Sequence, residues 1–182
     1  MTSASAMADL KPFPDDLGPI VSSGHLAAGA MPALSEFEFA LSMTAHAFQR
    51  WIVRGMAAAG LPDLSPLDVI VLHNVNHRGK AKRLADICLV LNIEDTHLVN
   101  YSLKKLEKLG LMKSGRKGKE KTVAITSAGE DACRRYAQVR EQILVKSVLA
   151  SGADAGRLSD IAAAMRSLSG QYDQAARAAA SL

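Results

Sequence analysis

One stretch of this chain, residues 95–112, limits most strongly what the rest can fold into. Val99, Leu103 and Leu106 recur at the spacing that places side chains on one face of an α-helix. Gly110 follows at the position where a glycine ends a helix. The other side is polar, basic and partly aromatic, and its side chains with their flanking neighbours are His97, Asn100, Tyr101, Lys104, Lys105 and Lys108. The pattern predicts a short helix with an apolar back and a cationic front.

The positive charge of the chain is concentrated around this helix. Residues 104–121 contain eight Lys or Arg and two Glu, a local net charge of +6, whereas the whole chain carries +4 and the remainder therefore −2. A cationic excess confined to one segment indicates a polyanionic partner such as nucleic acid. Hydrophobic residues make up 48% and aromatic residues 4% of the sequence. This composition favours an aliphatic, helix-rich core.

The segments on either side of the central helix also have readable patterns. Apolar periodicity and capping signals predict five further helices, over about 34–59, 66–77, 83–91, 127–148 and 155–180. Short strands are expected at 80–82, 111–114 and 122–126. Between the last two strands lies a basic, glycine-containing hairpin tip with Arg116, Lys117, Lys119 and Lys121.

Several helix starts carry capping motifs. Ser65 followed by Pro66 is a typical N-terminus, and Asp95 is the expected N-cap of the central helix. Ser35 with Glu38 fits a capping box for the first long helix. Thr126 or Ser127, the latter paired with Glu130, is suited to cap the helix after the hairpin. Within the helix over 66–77, the spacing assigns one face to Leu67, Ile70, Val71 and Asn74, with Val75 beside it.

This order of elements predicts a mainly α fold with a small β-hairpin wing. It is a winged helix-turn-helix flanked by long N- and C-terminal helices. We divide the chain into a flexible N-terminal arm at 1–33, a first dimerisation helix at 34–62, a DNA-binding winged helix-turn-helix at 63–127, and C-terminal dimerisation helices at 128–182. The two terminal amphipathic parts suggest an intermolecular contact because no core remains in the chain to cover them.

The sequence offers little to an enzyme or a metal site. Cys88 and Cys133 have no CxxC or metal-ligand spacing, and His73 with His77 lacks a third ligand. No catalytic triad or paired-carboxylate motif is present, so we expect no enzymatic activity, no metal and no cofactor. A signal peptide and an apolar run of the roughly 20 residues that span a bilayer are also missing. We expect a soluble cytoplasmic protein without a membrane partner.

Four motifs in this order resemble the MarR family of winged helix-turn-helix transcription regulators, over about residues 34–180. They are Ser65-Pro66, Ile87-Cys88-x-x-Leu91, Leu106-Glu107-Lys108-Leu109-Gly110-Leu111 and Ile125-Thr126-Ser-Ala-Gly129. The resemblance implies a homodimer built from the terminal helices, with two recognition helices on a pseudo-palindromic duplex operator. It also implies a repressor and a small-molecule effector bound between the dimer and DNA-binding regions.

The expected DNA contacts divide into two groups. His97, Asn100 and Tyr101 are expected to meet base edges, where base pairs are distinguishable in the major groove. The lysines of the helix and the wing cluster of Arg116, Lys117, Lys119 and Lys121 are expected to meet phosphates. Tyr101 stands where the family often has Arg, and Lys119-Glu120-Lys121 replaces its Asp-x-Arg element. The alternative interpretation is a winged-helix protein-interaction or RNA-binding module that uses the same basic face.

Overall fold

The structure, a computed structural model, describes residues 18–118 and 120–182, without the side chain of Lys117. Expectations for residues 1–17 and for Lys119 lie outside this range. The helices are α1 Pro32–Ala58, α2 Pro66–Asn76, α3 Leu84–Leu91, α4 Thr96–Lys108, α5 Ser127–Arg140, α6 Lys146–Ala150 and α7 Ala155–Ala179. The strands are β1 Lys82–Arg83, β2 Met112–Lys117 and β3 Glu120–Ile125. The mainly helical fold with a small antiparallel wing is confirmed.

The chain divides into two compact units, residues 1–52 and 53–182, with the boundary inside α1. The described part of the first unit contains a 3-10 helix, Gly24–Ala28, and most of α1. The capping box expected at Ser35 is wrong, because α1 already begins at Pro32 and Ser35 lies within it. Its hydroxyl instead donates a hydrogen bond to the carbonyl oxygen of Leu26, at 2.6 Å.

The second unit is built around α2, which packs against several other elements. The Ser65 hydroxyl accepts from the backbone N–H of Asp68 at 3.2 Å, and the Asp68 carboxylate accepts from the backbone N–H of Ser65 at 2.8 Å. The predicted start is thus confirmed, with a capping box added. α2 packs against α4, α5 and β3, and buries Asp68, Val69, Val71, Leu72 and Val75. The face assigned from the spacing is therefore only part of the buried surface, since Leu67, Ile70 and Asn74 are half-buried. A helix that is apolar on most sides does not reveal its buried face by periodicity.

The three strands form one antiparallel sheet in the order β1-β3-β2. The ladder of the wing runs from Met112 opposite Ile125 to Lys117 opposite Glu120. The wing strands therefore extend further toward the tip than the predicted 111–114 and 122–126, because backbone pairing continues through the polar residues. β1 lies two residues later than the start of the predicted strand at 80–82, and Arg83 pairs with Thr122.

The C-terminal helices follow the wing directly. The Thr126 hydroxyl, rather than Ser127, caps α5 by accepting from the backbone N–H of Gly129 at 3.2 Å. A π-helical segment, Glu141–Val145, connects α5 to α6. No residue of α7 is buried in the single chain. Among the described residues, no helix has both the length and the apolar character needed to cross a bilayer.

Candidate nucleic-acid interface

The recognition helix α4 has the two faces that its sequence predicts. The Asp95 carboxylate caps it by accepting from the backbone N–H of His97 at 2.9 Å. Val99, Leu103 and Leu106 are buried on the core side. Gly110 ends the helical path with a φ of +72°, in the left-handed region that glycine enters without steric cost. The apolar back therefore holds α4 in place and leaves the front free.

The front of α4 presents an exposed row of four side chains. His97, Tyr101, Lys104 and Lys108 lie at i, i+4, i+7 and i+11, and all four are exposed. Tyr101 retains 72% of its accessible surface. Asn100 is partly buried beside the row. Neither Lys104 nor Lys108 has an ion-pair or hydrogen-bond partner among the described residues, so both amines are available to an anion.

Lys105 is oriented differently from the other lysines of α4. Its amine lies 2.8 Å from a carboxylate oxygen of Asp68 and 2.6 Å from the carbonyl oxygen of Asp63. The sequence placed Lys105 beside the DNA-facing row, whereas the structure directs its charge toward the start of α2.

The wing carries a second cationic cluster. Arg116 and Lys121 lie directly opposite each other on β2 and β3. With Ser114 and Gly115 they line an open cavity of about 530 Å³. Like charges opposite each other across a ladder destabilise it, and an anion between them relieves the repulsion. This geometry suits a phosphate oxygen.

Two side-chain contacts place this wing cluster against the helix-turn-helix. The Ser114 hydroxyl donates a hydrogen bond to the Glu107 carboxylate, next to Lys108 on α4. On the other side of the sheet, Arg83 donates through Nη1 to both carboxylate oxygens of Glu120, at 3.2 and 3.3 Å. The wing is therefore tied at one edge to the recognition helix and at the other to β1.

Arg83 is a residue that the sequence did not single out. Its Nε and Nη2 groups also donate to Asp86 at 2.8 and 2.7 Å, so one guanidinium holds two carboxylates. Hydrogen bonds from Arg83 to Asp86 and to Glu120 raise the pKa of the guanidinium above its ordinary value. Glu120 is the only acidic residue between positions 112 and 125. Because Arg83 neutralises it, the charge of the wing that remains unpaired is cationic.

Lys113 is a second residue that the sequence analysis did not include among the candidate DNA contacts. It is exposed on β2, opposite Ala124, one position from Ser114 and therefore on the other face of the wing. Its position within the basic segment 104–121 could have identified it as a candidate DNA contact. Of the predicted wing residues, Arg116 and Lys121 lie in the described cluster, whereas Lys117 is placed only by its backbone and Lys119 lies outside the described residues.

A separate cavity of about 610 Å³ lies between α2 and α5. It is lined by His73, Asn76, Glu130, Cys133, Arg134, Tyr136, Ala137 and Arg140. The rings of His73 and Tyr136 are 4.7 Å apart between centroids. The Nε2 atom of His73 is buried without a hydrogen-bond partner among the described residues, and burial lowers the pKa of this imidazole.

The two cysteines are buried. Burial, followed by the nearby charge of Glu130, raises the pKa of the Cys133 thiol to about 11. A thiol with so little thiolate is a poor nucleophile at neutral pH. The described residues contain no group of three or more His, Cys, Asp or Glu side chains placed to hold a metal ion.

Comparison with known proteins identifies the class of this arrangement. Residues 64–129 match the family model of the winged helix DNA-binding domain. This span contains α2 through the start of α5, including the recognition helix and the wing. A search of curated protein sequences finds no significant match to the chain. Residues 64–129 of the chain thus form a winged helix DNA-binding domain.

Solved structures extend the comparison from the winged helix to most of the chain. A MarR family regulator from Neisseria meningitidis has a TM-score of 0.61 at 15% identity, over 78% of this chain and 94% of that one. The MepR–DNA complex of S. aureus has a TM-score of 0.59 at 13% identity, over 75% and 96%. CouR from Rhodococcus jostii RHA1, bound to p-coumaroyl-CoA, has 0.58 at 15%, over 72% and 90%. The chain therefore has a MarR-like winged helix fold, and the resemblance seen in its sequence is confirmed.

Proposed function

We propose that this chain is a sequence-specific regulator of transcription that binds duplex DNA as a homodimer and acts as a repressor by occluding a promoter. The observation that carries this proposal is the exposed row on α4, with two unpaired lysines, beside a cationic wing. An α-helix fits the major groove of B-form DNA, and a basic hairpin next to it reaches the flanking phosphates. With this function we expect the protein to act in the cytoplasm, where its DNA target lies.

Within this proposal the side chains of α4 divide by chemistry. His97, Asn100 and Tyr101 supply hydrogen-bonding groups and an aromatic ring for base edges. Lys104 and Lys108 supply compact charges for phosphates, since lysine is poorly suited to bidentate recognition. Arg116 and Lys121 extend the phosphate contacts onto the wing.

The homodimer is supported by the surface of α7. This helix has 25 residues, a length of about 37 Å, and none is buried in the single chain. Leu158, Ile161 and Met165 are 50%, 51% and 37% exposed and lie on one side of it. An amphipathic helix of this length needs a partner for its apolar face. A two-fold dimer would place two recognition helices about one DNA turn apart, which matches a pseudo-palindromic operator.

Control by a small molecule is supported by the cavity between α2 and α5. Its volume of about 610 Å³ falls within the range of small-molecule sites. CouR, which shares the fold, was solved bound to p-coumaroyl-CoA. A ligand in this cavity would bind against α2, the helix that packs on α4, and this provides a route from ligand to DNA-binding face.

A salt titration of duplex binding tests the proposal. We expect Lys104→Ala with Lys108→Ala to weaken binding to all duplexes and to make the slope of log K against log salt shallower by about 3.6 per dimer, at about 0.9 for each of four lost phosphate contacts. Lys146→Ala on α6 is the matched control, because Lys146 is exposed but lies outside the basic segment. An unchanged slope in the double variant would refute the assignment of this face.

Specificity and assembly need separate measurements. Selection from random duplexes should return a palindromic consensus, and Tyr101→Ala should change it if the ring contacts bases. Sizing with light scattering should give a dimer. A monomer without duplex affinity that captures structured RNA or a protein would instead support the alternative, an interaction module.

A further inference from the structure

The ion pair between Lys105 and Asp68 is the feature of the helix-turn-helix that DNA contact does not explain. Asp68 is 1% exposed, whereas surface carboxylates normally remain in water. A buried carboxylate is tolerated only when it is paired and its oxygens accept hydrogen bonds. Here Lys105 supplies the pairing charge at 2.8 Å.

Asp68 joins the start of α2 to the recognition helix. Its carboxylate accepts from the backbone N–H of Ser65 and from the Lys105 amine, both at 2.8 Å. Burial by itself raises the pKa of this carboxyl, but the hydrogen bonds from Lys105, Ser65 and Ser102 outweigh it and the net shift is downward. The carboxylate is therefore charged at neutral pH.

Lys105 adds a third segment to this junction. Besides Asp68, its amine donates to the carbonyl oxygen of Asp63, in the loop between α1 and α2, at 2.6 Å. One amine thus holds α4 to two points around the start of α2. Leu103 and Leu106, in contrast, contribute apolar burial, which is non-directional. The hydrogen bonds from Lys105 are directional, so they oppose rotation of α4 about its own axis.

We propose that the Asp68–Lys105 pair is a specificity-determining device that sets the rotation of the recognition helix, and that Lys105 is a positioning residue and not a phosphate contact. The inference rests on the proposed DNA-binding function. Successive residues of a helix are about 100° apart, so a rotation of α4 by a fraction of that angle re-aims Asn100 and Tyr101 relative to the base edges. Contacts of this kind require placement within about 10–20°. Phosphate contacts by flexible lysines tolerate such a rotation, so specificity is affected before affinity.

The test compares two neighbouring lysines with the same substitution. Lys105→Met and Lys104→Met both remove one charge and keep an unbranched stem. We expect Lys104→Met to reduce the salt slope by about 1.8 per dimer, whereas Lys105→Met leaves it unchanged. Lys105→Met should instead lower the ratio of specific to non-specific affinity by about tenfold, the effect of losing one base contact.

Asp68 provides the second arm of the experiment. Asp68→Asn removes a buried charge, and we expect it to lower the specificity ratio with no change in salt slope. The double variant Asp68→Asn with Lys105→Met should be no less specific than the worse single variant, because both act through one pair. It also leaves no unpaired buried charge, so it remains informative if Lys105→Met does not fold.

The outcomes separate the inference from the proposed function. If the wild-type protein shows no salt-dependent duplex binding, the proposed function fails. If it binds, but Lys105→Met reduces the salt slope as Lys104→Met does or Asp68→Asn retains full specificity, the positioning role is refuted and the proposed function stands. Circular dichroism and thermal unfolding of each variant show whether the protein measured is folded.

Discussion

Gly129, in the first turn of α5, packs tightly against the base of the wing. A Cβ atom added there would lie 2.2 Å from the carbonyl oxygen of Leu111 and 2.5 Å from Cδ1 of Ile125. The carbonyl oxygen has little room to move, because it accepts the backbone N–H of Thr126 at 3.1 Å. Gly129→Ala must therefore displace α5 from the base of the wing.

The expected cost follows from two opposing effects. Overpacking against backbone costs about 3 kcal/mol, and the better helix propensity of alanine returns about 1 kcal/mol. The net destabilisation of about 2 kcal/mol corresponds to a fall in Tm of roughly 4–8 °C for a chain of this size. Thermal unfolding followed by circular dichroism, at one protein concentration for all variants, measures it.

Gly170→Ala is the matched control, since it is the same substitution in a helix without the clash. No heavy atom lies within 4 Å of a Cβ at Gly170. At about 100° per residue, this position is on the other side of α7 from Leu158, Ile161 and Met165. We expect a gain of about 0.5–1 kcal/mol and a slightly higher Tm. A Gly129→Ala variant that unfolds no earlier than the wild type would refute the packing described at Leu111.

Three further results are expected. Arg83→Gln should weaken duplex binding by no more than about fivefold, because the ion pair between Arg83 and Glu120 is exposed. The loss should be smaller when Glu120→Gln is also present, because no wing carboxylate then remains to be neutralised. An equal loss with and without Glu120→Gln would mean that Arg83 itself contacts phosphate. Hydrogen bonds lower the pKa of Asp68, so this group stabilises the fold above its unfolded pKa near 3.8, and the contribution declines as the pH falls from there toward the folded pKa. Urea unfolding should therefore show a weaker acid dependence in Asp68→Asn, and identical curves would contradict this. Cys133 in a Cys88→Ala background should react with a thiol reagent at pH 8 about a hundredfold more slowly than an ordinary thiol, and fast labelling would show that it is accessible.

The recognition helix shows which structural features can be predicted from local sequence. Asp95 as N-cap, the buried row of Val99, Leu103 and Leu106, and the stop at Gly110 were all predicted and are confirmed. Each depends on interactions within one or two turns, which the order of residues encodes directly. The wing was also predicted, but with shorter strands, since ladder pairing depends on the partner strand as well as on local propensity.

Periodicity predicted less about α2, because this helix is buried on more than one side. The helix is apolar on most of its surface, so the spacing of Leu67, Ile70 and Val71 identified only part of the buried surface, and Val69 and Leu72 are buried beside it. The sequence places Asp68 in the first turn of this helix, where an acid is common, and contains no sign of its contact with Lys105. Its second role depends on α4 packing beside it.

By itself, the sequence determined the order of elements, the winged helix class and the amphipathic character of α4 and α7, because these follow from periodicity and capping over short distances. Tertiary structure alone decided which charges face outward. Lys105 turns inward to Asp68, and Glu120 is held by Arg83, in both cases across 37 residues of chain. A charge is exposed or neutralised according to its neighbours in space, and neighbours so far apart in sequence are brought together only by packing. The cationic surface offered to DNA is for that reason smaller than the basic segment in the sequence, and it is centred on Lys104, Lys108, Arg116 and Lys121.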